Sequence, residues 1–516
     1  MFRIFDREGL TLIPTLHFTA PLPDLEATRR KAAEPGLELI GGDGQSWLTR
    51  NQPCNSLAPY YNPLDERVQT AMLEVARELI ARYRHHPSLG GLAVQLSADG
   101  YAQLPGADWG YDEQTLARFQ REAKVKLPAG EEQFTRRVTL LRTTQRQPWL
   151  LWRAERLARF YRTMQEELAA ERPGLKLYLA GAGLFDRPDI EQELRPTLSR
   201  STTRYEEALL TTGIAPQFYH DAESIVLLRP QRLAPLTSLV GQGMNREINL
   251  DPHLDRLFSQ QPNPAALFYH ESQNARLASF DAKNPFKSGA TVLHAQPVPS
   301  AQDNRRRFVH ALTALDARAM FDGGAMLPLG QENELEPFLG AYRQLPDRPF
   351  QTLAGQTQPV TIRTLTHDGR TFVYFVNDSP WRTSVNVEID LPADCGVRSL
   401  YASRRLPELQ GQGMKRSWTI QLEAYDLLAA VFTAAGVKIS DPRVSLDAKL
   451  IAQLDARIQD LMARARVFSH PEPIDRLVNG AFEAAAPREG IPGWDAIQHP
   501  SKLLHPFNRA GQAGTV

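Results

Sequence analysis

The chain reads as α/β: a (β/α)8 TIM barrel truncated at its N-terminus, followed by a small antiparallel β-sandwich domain and a helical linker. Three observations predict this. Short apolar runs alternate with amphipathic helical stretches from residue 1 to about 345, and such alternation argues a parallel sheet. Several runs break into polar residues, as where Leu267 and Phe268 lead into His270, Glu271, Ser272 and Gln273. A buried parallel strand delivers side chains to the carboxyl edge of a sheet in this way. About seven such strands, joined by long loops, fit a barrel better than an open sheet.

The strands are expected at 10–18, 90–97, 175–181, 223–229, 264–270, 290–296 and 318–322. Between them lie helices at 67–83, with Val68, Met72, Leu73, Val75, Ala76, Leu79 and Ile80 on one face, and at 149–171, with Trp152, Leu157, Phe160, Tyr161, Met164 and Leu168 at helical spacing. The linkers 19–66 and 101–148 far exceed an ordinary βα loop, and in barrels such insertions build the substrate cleft. Composition shifts after Pro349. Two alternating segments, 361–366 and 371–378, flank the turn signal His367-Asp368-Gly369; further strands at 384–389, 417–422 and 425–432 complete a β domain ending near Ala435. A helix at 441–468 carries Leu446, Leu450, Leu454, Ile458 and Leu461 as a packing stripe. The expected domains are thus 1–348, 349–437, a linker 438–472, and a new domain opening at 473–516.

Both ends read as cuts. Met1 to Glu8 resembles the last turns of a helix stopped by Gly9, and the chain ends soon after a domain begins. The lack of a signal peptide therefore carries no information.

Lys and Arg total 59 and Asp and Glu total 59, so there is no basic field to draw nucleic acid. No stretch approaches the roughly 20 apolar residues of a membrane span. Cys54 and Cys395 form neither a disulfide framework nor a metal-ligand spacing. The chain also lacks a GxGxxG, a phosphate loop, an HExxH and a GxSxG elbow. No cofactor and no metal is expected.

What remains is polar strand ends. Asp99 follows Gln95 and Ser97; Glu271 follows the run 265–270. Glycosidic bonds are cleaved by two carboxyl groups, one protonating the leaving oxygen and one attacking the anomeric carbon or activating water. Glu271 is the candidate nucleophile and Asp99 the candidate acid/base. The plainer alternative for Glu271 is a structural carboxylate paired with a rim arginine. His17, Arg229, Gln231, His270, His294, Gln296, Asp186 and Asp322 stand at other strand ends and would line the site for a hydroxyl-rich ligand. Tyr60, Tyr61, Tyr101, Trp109 and Tyr111 in the long loops are candidates to stack on sugar faces.

Three segments carry a resemblance: 91–101; Asp112, Thr115 and Phe119 in a "D..T...F" pattern; and Trp149-Leu150-Leu151-Trp152-Arg153. Residues 1–345 resemble the family-10-like glycosyl hydrolase barrels and the family 42 β-galactosidase arrangement. Where family 42 enzymes carry Asn-Glu this chain has Ala98-Asp99, so the acid/base is a shorter carboxylate, lies elsewhere or is missing. Farther on, Asn479-Gly480-Ala481-Phe482-Glu483 and Gly493-Trp494 resemble the opening of carbohydrate-binding β-sandwich modules. Together these resemblances imply a carbohydrate substrate, O-glycoside hydrolysis, and a secreted, periplasmic or cell-surface location. The rival is a non-catalytic polysaccharide-binding or cell-surface protein on a decayed barrel, favoured if the carboxyls lie buried against arginines. A deacetylase is a weaker third reading, because no metal constellation stands out.

Overall fold

The computed structural model describes residues 1–31, 36–50, 61–185, 190, 204–233, 249–271, 273–278, 290–295, 299–324, 330–355, 357–392 and 394–470. Two units divide the chain, Met1–Val444 and Ser445–Val516.

The first unit holds a six-stranded sheet of β1 (Thr15–Leu16), β2 (Gly91–Ser97), β3 (Lys176–Gly183), β4 (Ile225–Leu233), β5 (Ala265–His270) and β8 (Ala319–Gly324), in that order. Every pairing is parallel. The strands follow one another without the reversal that marks a doubly wound sheet. The sheet curves into a half-barrel: Tyr178 of β3 and Phe321 of β8 are not on neighbouring strands, yet their rings meet edge to face at 5.5 Å.

Side-chain parity along each strand sorts the residues. Leu92, Val94 and Leu96 of β2, Leu177 and Leu179 of β3, Leu227 of β4, and Ala266 and Phe268 of β5 join the core shared with the helices. The alternate positions, Ala180, Val226, Leu228 and Ala265, pack with Tyr178, Leu267, Ala319 and Phe321 inside the arc. Both faces are apolar, as expected of a parallel sheet covered by helices. The helices Glu66–Tyr83 and Arg146–Glu171 form where the 3.6-residue pattern predicts them, burying Val68, Met72, Ala76 and Ile80 in one and Trp149, Trp152, Leu157 and Met164 in the other. The first helix, Phe2–Glu8, ends at Gly9 with φ 65°, the left-handed stop the sequence signals.

One expected barrel strand is not one. Residues 290–295 pair antiparallel with β6 (Gln273–Ala278) as β7 (Ala290–Ala295), a separate two-stranded hairpin. An apolar run of six residues fixes a strand but not its partner. The first strand is also shorter than 10–18, with a lone bridge at Leu12 preceding it.

The β domain packs two sheets. One runs β13 (Val397–Ser399), β15 (Asp426–Phe432), β11 (Arg370–Asn377), β10 (Val360–His367) and β9 (Gln351–Thr352); the other runs β14 (Lys415–Leu422), β12 (Thr383–Asp390) and β16 (Lys438–Ser445). Val373, Phe375, Val385, Val387, Trp418, Ile420 and Leu428 fill the space between them. The turn joining β10 to β11 has Asp368 and Gly369 at φ 46° and 71°, the paired left-handed geometry of a tight hairpin. The outer face of the larger sheet, with Tyr374, Val376, Leu427 and Ala429, is continuous with the half-barrel core. Residues 438–445 thus extend the β domain rather than opening the linker helix, because Ile439 joins the sandwich core.

In the second unit the described helix is Ala448–Ser469, capped by Asp447. It buries none of its residues; Ile451, Ile458, Leu461 and Phe468 are exposed. Of the expected stripe, Ile458 and Leu461 are exposed and Leu446, Leu450 and Leu454 are half-buried, so among the described residues none of it is fully packed. The carbohydrate-module signature at 479–494 lies outside the described residues.

Candidate functional site

At the carboxyl edge of the half-barrel is a cavity of about 550 Å³, lined by Thr15, His17, Gln95, Ser97, Asp99, Ala182, Gly183, Arg232, Tyr269 and Glu271. Parity explains the list. Thr15 and His17 continue the inner face of β1, Gln95, Ser97 and Asp99 that of β2, Arg232 that of β4, and Tyr269 and Glu271 that of β5. Beneath them the apolar layer of Leu228, Ala265 and Leu267 closes the arc. At β3, where the register with β2 shifts, Ala182 and Gly183 line the space side by side, and their small size leaves it open.

Among the described residues, four charged or chargeable side chains face this space as two pairs. His17 Nε2 stands 3.3 Å from the Asp99 carboxylate, which also accepts a hydrogen bond from the Ser97 hydroxyl. The His17 contact, with Ser97 adding to it, outweighs burial and holds the Asp99 carboxyl below the usual carboxylate range. Across the cavity, Arg232 Nε lies 2.9 Å from Glu271 Oε1, with both side chains about four-fifths buried. The backbone of Arg232 is clamped by one amide: its N–H donates to Asn249 Oδ1 at 2.8 Å, and its carbonyl accepts from Asn249 Nδ2 at 2.6 Å. The Glu271 N–H donates to the Leu233 carbonyl at 3.0 Å and extends the β4–β5 ladder by one step. Arg232 is thereby held on strand β4, and Glu271 directly after the end of β5.

Of the expected site residues, the structure brings His17, Asp99 and Glu271 together. The others stand elsewhere. Arg229 and Gln231 have the opposite parity to Arg232 and point into the helix layer. There Arg229, fully buried, donates to Asp255 at 2.9 Å and to its neighbour's carbonyl, Pro230 O, at 2.7 Å. His270 likewise turns away from the cavity that Tyr269 and Glu271 face. Its Nε2 is 2.7 Å from Asp322, whose other oxygen accepts from Arg307 at 2.9 Å. Burial raises the Asp322 carboxyl, but the His270 and Arg307 contacts outweigh it and leave it lowered. His270 and Asp322 are thus a structural tie between β5, β8 and the helix Arg306–Leu315, not ligand groups. His294 falls on the hairpin strand β7 rather than a barrel strand; Gln296, Asp186 and Tyr60 lie outside the described residues.

The loop aromatics are corrected too. Tyr101, Trp109, Tyr61 and Tyr111 are buried to 1% exposure or less. Tyr101 donates to the Ala20 carbonyl at 2.8 Å and meets the ring of Tyr61 at 5.1 Å. Trp109 packs on Trp47 at 4.8 Å beneath the Arg50 guanidinium. The long loops fold onto the barrel as a layer of core. Buried Arg153 secures them, donating to the carbonyls of Trp109 at 2.7 Å and Thr211 at 2.6 Å. The "D..T...F" segment has a local explanation: Asp112 caps the helix Glu113–Ala123 by accepting from the Thr115 N–H, and Phe119 is core.

Sequence reasoning missed Arg232 and Tyr269, the inner-face neighbours in register across β4 and β5. Their signal was parity relative to Glu271. Among the described residues no cluster of His, Cys, Asp or Glu is arranged to hold a metal ion, and no helix is long and apolar enough to cross a membrane.

No protein-family model and no curated protein matches the chain. Among solved structures, it is similar to a family 27 β-L-arabinopyranosidase from Geobacillus stearothermophilus (11% identity, 83% of this chain, 75% of that one, TM-score 0.35). It is also similar to the catalytic domain of a β-amylase from Paenibacillus polymyxa (10% identity, 65% and 82%, TM-score 0.36). A third is a β-galactosidase from the psychrophilic Marinomonas ef1 (10% identity, 64% and 46%, TM-score 0.29). These neighbours are glycosidases; with TM-scores this low, they assign neither family nor activity to this chain.

Proposed function

We propose that the cavity at the carboxyl edge hydrolyses O-glycosidic bonds of a poly- or oligosaccharide by a two-carboxylate mechanism. One observation carries the reading: inner-face strand ends from β2 and β5 bring Asp99 and Glu271 to the same polar cavity. The division of labour reverses the one read from the sequence. An acid must hold its proton near neutral pH, and Asp99 is kept ionised by His17 and Ser97. Asp99 is therefore the anionic partner, and Glu271 donates the proton. As the glycosidic C–O bond breaks, the Glu271 proton passes to the leaving oxygen. Asp99 supplies an electron pair to the anomeric carbon, directly or through a water whose proton it accepts; water then completes the product.

The test is a screen of glycosides with the full chain and two variants. Asp99→Asn should abolish turnover of every substrate. Glu271→Gln should slow substrates with poor leaving groups by roughly 10²–10⁴-fold and activated aryl glycosides far less, since these need little protonation. Near-normal turnover in either variant on a cleaved natural glycan refutes the assignment.

A second reading is favoured by the Arg232–Glu271 pair. Glu271, held 2.9 Å from the Arg232 guanidinium, would then serve to order the cavity for glycan binding rather than to move a proton. Tight glycan binding with no cleavage of any glycoside would establish it.

A further inference from the structure

Arg232 is the one arginine among the described residues that line the cavity, and its backbone is fixed. Asn249 grips its backbone through both the N–H and the carbonyl. The strand register sets it opposite Tyr269, two residues from the end where Glu271 meets it at 2.9 Å. An ion pair that is largely withdrawn from water is costly to break unless a new counter-ion replaces the lost one. The leaving oxygen of a glycoside, however, needs Glu271 as an acid, and a carboxylate bound to a guanidinium is a poor proton acceptor. Something must take the place of Glu271 against Arg232 when substrate arrives.

We infer that Arg232 determines specificity for a glycan that carries a carboxylate on a sugar ring, the substrate's carboxylate replacing Glu271 as the counter-ion of Arg232. The inference rests on the hydrolase reading and names its substrate class. A planar guanidinium matches a carboxylate with two parallel hydrogen bonds, which a neutral hydroxymethyl group at the same place cannot offer. The exchange leaves the Glu271 carboxyl to the glycosidic oxygen rather than to the guanidinium. Among the described residues, the other charged or chargeable pair facing the cavity is His17 and Asp99. They stand 3.3 Å from each other, so Asp99 keeps its own polar partner while the exchange takes place.

The experiment measures binding of the full chain to three matched sets of oligosaccharides: uronic-acid oligomers, their carboxyl-reduced neutral counterparts, and the neutral counterparts carrying sulfate esters. Calorimetry gives affinity and reducing-end release gives turnover. The uronic-acid set should bind roughly tenfold or more tightly than the reduced set, with the advantage shrinking as salt rises. Arg232→Gln should erase the difference and Arg232→Lys should keep part of it. Glu271→Gln should tighten uronate binding, because the competing carboxylate is gone; an arginine of purely structural purpose would give no such gain. Equal binding of the sulfated set overturns the preference for a carboxylate. Neutral oligomers cleaved as well as acidic ones, with dependence on Asp99 and Glu271, overturn this inference and leave the hydrolase reading intact. No binding of any set overturns this inference, while the hydrolase reading stands or falls by the glycoside screen with Asp99→Asn and Glu271→Gln.

Discussion

His310 lies with Nδ1 2.8 Å from the Asp378 carboxylate, joining the helix Arg306–Leu315 to the end of β11. Its Nε2 is 3.3 Å from Asp255, which also pairs with Arg229 of β4. One chain of charges thus runs from the half-barrel sheet to the β domain. Burial lowers the imidazole pKa, but the two carboxylates outweigh it and raise it to about 9.

This pair makes stability depend on alkaline pH. A raised folded-state pKa contributes stability that is fully present below the unfolded value near 6.5 and lost as pH rises through about 9. The loss is on the order of 3 kcal/mol at most. Urea unfolding from pH 6 to 10 should show the decline in the wild type and a flatter profile in His310→Gln. Equal slopes would show that the histidine carries no linked proton.

Arg229 and Arg232 should separate stability from binding. Arg229→Met leaves Asp255 buried without its guanidinium and should cost about 3–5 kcal/mol. The folded fraction should bind glycan as the wild type does, because the side chain faces the helix layer. A selective loss of glycan affinity in Arg229→Met would mean that β4 has been read in the wrong parity.

Trp109→Ala should behave as a core deletion. The indole is buried against Trp47, so about 3–5 kcal/mol of stability should go. Glycan affinity of the folded protein should not change. Thermal unfolding and calorimetry decide between this and a sugar-stacking platform.

His17→Ala should shift the acid limb of the pH–rate profile upward. In the wild type the Asp99 carboxyl sits below its ordinary value chiefly through His17, so it stays ionised well into acid, and the function of an anion is lost only as pH falls through that lowered value. Removing the imidazole lets the value rise and the activity fail earlier on acidification. An unmoved limb would assign it to another group.

Much of this was legible locally. The helices at 66–83 and 146–171, the Asp368-Gly369 hairpin and the carboxyl-edge placement of Asp99 and Glu271 follow from patterns a few residues long. The aromatic loops were not. Nothing local distinguishes a Tyr or Trp that greets a ligand from one that anchors a folded insertion, and Tyr101 and Trp109 proved to be anchors because Arg153 and the helices close over them.

The strand–helix alternation, the sandwich after Pro349 and the delivery of polar residues to one edge are all written in the order of the residues. These depend on periodicity and turn chemistry, which a chain carries in its own order. Which of Arg229 and Arg232, or of His270 and Glu271, faces the cavity emerges only once the strands are assembled. A parallel strand buried on both faces is apolar at every position and so lacks the alternation that would reveal its inside. Assembly likewise sets 290–295 against 273–278 rather than in the barrel, because strand partners are chosen by contacts between residues distant in the chain.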